Sequence, residues 1–270
     1  MRIHALQTGT VAIKATHLRA HAQARPPRVA AVLRDRTWTD PLPILCWAVE
    51  HPEGLLVVDT GETAGAHGPA WHPFSRCTRF AVVPEDELGP RLRAAGLDPA
   101  AVRWVVFTHL HGDHIGGLSH VQHAEIVVSD VEWRTATAVR GPLEGYPGRA
   151  LRHRITPRTV TFDDGPWEGF DASTVLTDAG DVRLVPTPGH TLGHLSVAIE
   201  EEDHVVLLAG DATYSEQLLF DDAVDGVTVS ASRHRDSRRR LRDLTARRPT
   251  VVLPCHDPES AARLAKRTTR

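Results

Sequence analysis

Short apolar runs, each cut off by turn residues, recur along the chain and alternate with stretches of helical spacing. ILCWAVE (44–50) and LLVVDT (55–60) are joined through HPEG and predict a β-hairpin. VRWVVF (102–107) and EIVVS (125–129) read as strands, as do DVRLVPT (181–187), HLSVAIE (194–200), HVVLLAG (204–210) and TVVLP (250–254). In EDELGPRLRAAGL (85–97), Leu88, Leu92 and Ala95 fall at helical spacing, with Pro90 in the first turn. Further helices are expected over 130–140, 231–247 and 257–267. The first 40 residues are mixed, and Pro26 and Pro27 are expected to break any long element there. Residues 63–77 read as a long loop of the kind that covers a site, and 141–180 as loops with short strands. Strands alternating with helices in both halves imply α/β layering, with sheets inside and helices outside. No composition break marks a boundary, so 1–270 reads as one domain, with 1–40 an N-terminal extension contributing to the pocket or to a dimer contact.

Composition narrows the classes. A chain of 270 residues with 41% apolar and 24% charged content can bury a substantial globular core. Its net charge of −3 lacks the footprint of a nucleic-acid binder. The run SRHRDSRRRLRD (232–243) does not change this, because Leu241 and Leu244 give it a buried stripe and leave the arginines on a solvated face. Cys46, Cys77 and Cys255 show no CxxC spacing, so neither a disulfide framework nor a cysteine-only zinc site follows, and Cys255 reads as a small buried filler. The N-terminal MRIHALQTGTVAIK has no apolar core of signal-peptide length, no apolar run approaches a membrane span, and the expected compartment is a reducing cytoplasm.

One stretch has more polar side chains than packing requires. THLHGDHIGG (108–117) follows the strand VRWVVF directly. His109 and His111 are two apart, so in extended chain they point the same way. Asp113 and His114 follow across Gly112, which allows a sharp turn, so the two pairs can face two neighbouring metal ions. Imidazole and carboxylate suit zinc. Three more candidates each stand directly after an apolar strand: His190 in TPGHTLGH, Asp211 in AGDATY and His256 in LPCHD. One such histidine means little, but the ordered set has the placement expected of a site on the rim of a sheet sandwich.

HLHGDH, PGH, GD and CHD, in this order, resemble the metal-binding pattern of the metallo-β-lactamase superfamily over roughly residues 40 to 260. The resemblance implies a four-layer αβ/βα sandwich, with two mixed β-sheets flanked by helices. It implies that His109, His111 and His190 bind one zinc ion, that Asp113, His114 and His256 bind a second, and that Asp211 bridges them. Manganese or cobalt would accept the same ligands. VVDTG (57–61) is similar to the superfamily's early strand ending in aspartate, which makes Asp59 a hydrogen-bond acceptor behind the ligands. His194 is expected to be structural beside His190. His67, His72, His120, His123, His153, His204 and His234 have no matching context and read as surface or structural.

Within the superfamily the chain looks most like the acyl-homoserine-lactone lactonases. Tyr214, in DATY, stands where they carry a tyrosine that contacts the substrate carbonyl, and CWAVEHPEGLLVVDTG and PCHDPESAARL are similar to their hairpin and terminal helix. The chain departs at Gly112, where several lactonases carry a bulky residue, and at Cys255, where glycine is usual. The implied reaction is lactone opening by a metal-bridging hydroxide. Tyr214 would polarise the carbonyl and Asp113 would carry the proton to the departing alkoxide. That makes the expected protein a quorum-quenching hydrolase of a small lactone or ester, with a homodimer possible and no nucleic-acid or membrane partner. The rivals are another esterase or phosphotriesterase-like hydrolase of this fold, and a metal-stabilised binding protein without turnover. Pocket walls are expected from 14–40 and 62–80.

Overall fold

The computed structural model describes residues 1–20, 24–65 and 73–270. His67 and His72, and the middle of the loop expected over 63–77, lie outside the described residues. Among the described residues, twelve strands form two sheets. β1 (Arg2–Ile13), β2 (Leu42–His51), β3 (Gly54–Val58), β4 (Thr78–Ala81), β5 (Val102–Val106), β6 (Glu125–Ser129) and β7 (Arg158–Val160) make a seven-stranded sheet in the order β4-β1-β2-β3-β5-β6-β7. β8 (Thr174–Val175), β9 (Val182–Pro186), β10 (Leu195–Glu200), β11 (Val205–Gly210) and β12 (Thr250–Pro254) make a five-stranded sheet in the order β12-β11-β10-β9-β8. Both sheets are mixed: β2–β3 is the expected antiparallel hairpin, whereas β3–β5, β5–β6 and β11–β12 run parallel.

Side-chain alternation builds the layers. Along β2, Trp47 and Val49 point at the five-stranded sheet and pack with Val197, Leu208 and Leu253, while Cys46 and Ala48 point the other way. That outer face is covered by α3 (Leu88–Ala94) and α5 (Asp130–Ala136), through Leu88, Leu92 and Ala136. The outer face of the small sheet is covered by α7 (Ala231–Arg247), whose Leu241 and Leu244 pack on Val205, Leu207 and Val252. Each of these two leucines is fully buried, which is worth about 2 kcal/mol per side chain. The short helices α1 (Ala15–Leu18), α2 (Arg25–Arg34), α4 (Gly112–Ile115) and α6 (Glu216–Leu219) lie in connections, and α8 (Ser260–Lys266) packs beside β12. The layering is helix, sheet, sheet, helix, as the resemblance implied.

The N-terminal 40 residues differ from the expectation. Arg2–Ile13 is a strand in the interior of the large sheet, paired along its length with β2 and at its end with β4. It is built into the sheet, not appended to it. Pro26 and Pro27 open α2 instead of breaking an element, because the first helical turn has no use for their missing N–H groups. The helices α5 and α8 end earlier than 140 and 267, at Ala136 and Lys266.

Candidate metal centre

The C-terminal ends of β3, β5, β9, β11 and β12 meet at one edge of the sandwich, and each delivers polar side chains there. Past β5, the chain turns at His109–His111 into α4, which carries Asp113 and His114. His190 follows β9, Asp211 follows β11, and Cys255 and His256 follow β12. Gly210 makes the approach at Asp211 possible: its φ is +56°, and a Cβ there would lie 2.8 Å from both His194 and Thr108.

These side chains gather into two groups. In the first, His111 Nδ1 lies 3.0 Å from His109 Nε2 and 3.1 Å from His190 Nε2. In the second, His114, Asp211, Cys255 and His256 bring one ligand atom each within 4.8 Å of one another. Asp211 stands between the groups. Its Oδ2 is 3.4 Å from His190 Nε2 and 4.0 Å from His109 Nε2, while its Oδ1 is 3.6 Å from His114 Nε2 and 3.5 Å from His256 Nε2. Asp113 sits at the outer side, with Oδ2 3.6 Å from His256 Nε2 and Oδ1 4.0 Å from His114 Nε2. All seven expected ligands therefore come together. Tyr214 joins them, its ring centroid 5.4 Å from that of His256 and 6.1 Å from that of His190.

The outward nitrogens decide which way the inner ones face. His114 Nδ1 lies 2.9 Å from Asp59 Oδ2, His190 Nδ1 3.2 Å from Asp225 Oδ2, and His256 Nδ1 2.8 Å from the Pro43 carbonyl. His111 turns Nε2 to the Glu144 carbonyl at 3.1 Å. His109 Nδ1 faces Thr108 Oγ1 at 3.2 Å, and that hydroxyl donates to Asp59 Oδ2, so its lone pair is free to accept. Each outward partner is an acceptor, so each neutral ring carries its proton outward and turns a lone pair inward. Lone pairs about 3 Å apart repel unless a cation lies among them. His114 Nε2 is buried with no hydrogen-bond partner among the described residues, as an atom kept for a ligand would be. The donor set fits divalent metal ions.

Charge supports this. Burial lowers His109 well below its ordinary value and takes His111 down to about 3, with neighbouring imidazoles adding to the effect. Burial also opposes charge on His114, but Asp59, Asp211 and Asp113 outweigh it and raise that ring to about 10. At Asp211 burial is outweighed by His256, His114 and His190, which hold the carboxylate ionised far below its usual range. Positive charge is favoured beside the carboxylates around His114 and disfavoured at His109 and His111.

Several supporting residues carry no sequence signal. Glu132, fully buried on α5, accepts from Leu110 N at 3.0 Å, Thr191 Oγ1 at 2.8 Å and Gly193 N at 3.2 Å, clamping two ligand loops together. Asp225 behind His190 and His17 beside Tyr214 are the others. Asp59 takes Thr108 N and Oγ1, both at 2.8 Å, besides His114; it holds φ +59°, a conformation aspartate tolerates better than most residues. His194 accepts from Asp211 N at 3.0 Å and so fixes the backbone of that residue. Cys255 is buried as expected but does more than fill space, since its Sγ–H donates to Asp211 Oδ1 at 2.8 Å. His234 is buried 3.8 Å from Asp225, and His120 pairs with Glu87 at 2.7 Å.

The centre opens into a cavity of about 500 Å³, walled by Val11, Ile13, Phe80, Val227 and Val229. His17, Arg25, Glu62, Ser75 and Thr78 also line it, so described residues from 14–40 and 62–80 do form walls, joined by β1 and by 142–147. Burial pushes Glu62 up to about 7, and a Cβ at Gly112 would lie 3.0 Å from its Oε2.

Known proteins resemble the chain in sequence and in fold. A probable metallo-hydrolase of Mycobacterium tuberculosis is 31% identical over 231 residues, spanning 78% of this chain and 73% of its own. An N-acyl homoserine lactonase of Bacillus cereus is 27% identical over 224 residues, spanning 81% and 82%. The solved structure of an N-acyl homoserine lactone hydrolase with N-hexanoyl-L-homoserine at its catalytic metal centre superposes with a TM-score of 0.77 at 21% identity, covering 96% of this chain and 94% of that one. No helix among the described residues is long and apolar enough to cross a membrane. The family model described as "Metallo-beta-lactamase superfamily" matches residues 39–256, and the chain belongs to that superfamily of metal-dependent hydrolases.

Proposed function

We propose that this chain is a dinuclear-zinc lactonase that opens the ring of acyl-homoserine lactones, a cytoplasmic quorum-quenching reaction. The observation that carries the reading is the division of Asp211: one carboxylate oxygen faces His109 and His190, the other His114 and His256. Within it, His109, His111 and His190 would hold one ion and Asp113, His114 and His256 the second, with Asp211 shared between the two groups. When bound, such a pair supplies Lewis acidity, which makes water nucleophilic near neutral pH and polarises an ester carbonyl.

The chain's own groups supply the rest. Tyr214 Oη donates to the carbonyl oxygen and to the oxyanion that forms there as water adds. Asp113, which lines the cavity beside His256, takes the proton of the attacking water and returns it to the ring oxygen as the carbon–oxygen bond breaks. The product is a hydroxy acid, and the atoms of water are all accounted for. The apolar wall of Val11, Ile13, Phe80, Val227 and Val229 suits a substrate with a hydrocarbon arm beside its polar ring. The likeness to the Bacillus cereus lactonase supports the homoserine-lactone ring in particular.

The test is hydrolysis of a lactone panel by metal-loaded protein, followed by acid release. Turnover of acyl-homoserine lactones that falls steeply in His109→Ala and Asp211→Ala is the expected result. Activity confined to phosphotriesters, or inertness toward both classes, would overturn the assignment.

A further inference from the structure

His17 lies 197 residues from Tyr214 in sequence, yet its Nε2 is 3.1 Å from the Tyr214 hydroxyl. Both side chains are buried and both line the cavity. The turn that carries His17 is fastened in place. Ala20 pairs with Val224 in an antiparallel bridge, and Gly226 N donates to the His17 carbonyl at 2.7 Å. Gly226 has to be a glycine for this approach, since a Cβ would stand 2.4 Å from the Thr16 carbonyl oxygen. Arg28 adds a hydrogen bond of 2.6 Å to the Thr228 carbonyl. The segment it grips also carries Asp225, the acceptor behind His190.

Burial pushes His17 down to about 4, more than the surrounding carboxylates raise it, so the ring is neutral and carries one N–H. Nδ1 is buried without a hydrogen-bond partner among the described residues. An N–H there would lose its partner entirely, whereas a bare lone pair is the less costly group to leave unmet. The proton belongs on Nε2, where the Tyr214 oxygen accepts it. A phenol oxygen that accepts from His17 keeps its own hydrogen free for another direction. In the opposite tautomer Tyr214 would donate to His17 and present only lone pairs to a carbonyl oxygen.

We infer that His17 is a positioning residue: by donating from Nε2 to the Tyr214 hydroxyl, it aims the phenol hydrogen into the cavity, where a substrate carbonyl oxygen is received. Accepting one hydrogen bond also makes the phenol a stronger donor of its own. The inference rests on the ester-hydrolysing reading of the site, and its test has one arm that needs no turnover.

In that arm, imidazole proton–nitrogen correlations are recorded on the zinc-loaded full chain with isotope-labelled histidine. A protonated Nε2 signal that disappears in His17→Gln and moves in Tyr214→Phe is expected. A signal from protonated Nδ1, or one indifferent to Tyr214→Phe, overturns the inference. In the kinetic arm, His17→Phe is expected to lower kcat about tenfold with KM and metal content unchanged. His17→Gln, whose amide nitrogen replaces the donor, should restore most of it. In a Tyr214→Phe background the His17→Phe loss should vanish, because the two groups act as one; a loss of equal size in both backgrounds overturns the inference. If the wild-type chain opens no lactone, the proposed function falls, and the imidazole signal still decides the role of His17.

Discussion

The two candidate ligand groups meet at Asp211 but are built from different materials. His109, His111 and His190 offer imidazole alone, packed with two nitrogen pairs 3.0 and 3.1 Å apart. The group around His114 and His256 adds Asp113 and the thiol of Cys255, and it has Asp59 directly behind it. Negative charge is thus concentrated on one side of the centre. The protons record the difference. Burial and neighbouring rings strip His109 and His111 of theirs, whereas three carboxylates overcome burial to keep one on His114 up to about 10. His190 is the exception in its group: Asp225 and Asp211 outweigh burial and raise it. Two of the three rings on one side are held ready as neutral imidazole, whereas His114 on the other would trade a proton for an ion.

The most severe way to break this contrast is to remove what the groups share. Asp211→Ala should empty both, with bound metal falling toward zero and turnover falling on the order of 10³-fold, as elemental analysis and a lactone assay would show. Removing one ligand should separate the groups. His109→Ala and His256→Ala are each expected to lose about one ion per chain, and loss of both ions from either would mean the groups do not act independently. Changing the acceptors behind the ligands is gentler. Asp59→Asn and Asp225→Asn should weaken metal affinity about 10- to 100-fold, the first at the group containing His114 and the second at the group containing His190.

Proton linkage sharpens the comparison. Because His114 is raised, its proton stabilises the metal-free fold fully below about 6.5, and that contribution fades as pH climbs through about 10. An ion at His114 Nε2 has to displace this proton, so affinity at that group should rise with pH, by up to about tenfold per unit. Calorimetric titrations at about pH 6 and about pH 8 in buffers of different ionisation enthalpy would show it as protons released. The smallest effect is expected at Cys255, where Cys255→Ser keeps a donor toward Asp211 Oδ1 and should change turnover only a few-fold.

How legible all this was from the sequence differs from one residue to the next. His109, His111, Asp113 and His114 sit in one motif, and His190, Asp211 and His256 each follow a short apolar strand, so local pattern alone picked them out. The same holds for Leu241 and Leu244, whose spacing gave the buried face of α7. Arg2–Ile13 reads as part of an extension because its pattern, with threonine and glycine interrupting the apolar positions, is weak. It is a strand only because β2 and β4 lie on either side to take its hydrogen bonds.

Sequence by itself determined most of the longer strands and helices, the candidate ligand types and their places at strand ends, because these depend on contacts between near neighbours in the chain. Tertiary structure alone decided the rest: that Glu132 clamps two loops, that Asp225 stands behind His190, and that His17 meets Tyr214. None of these belongs to a repeating pattern. Each is a polar side chain that burial forced to find a partner, and which partner lay within reach was fixed only when the two sheets closed on each other.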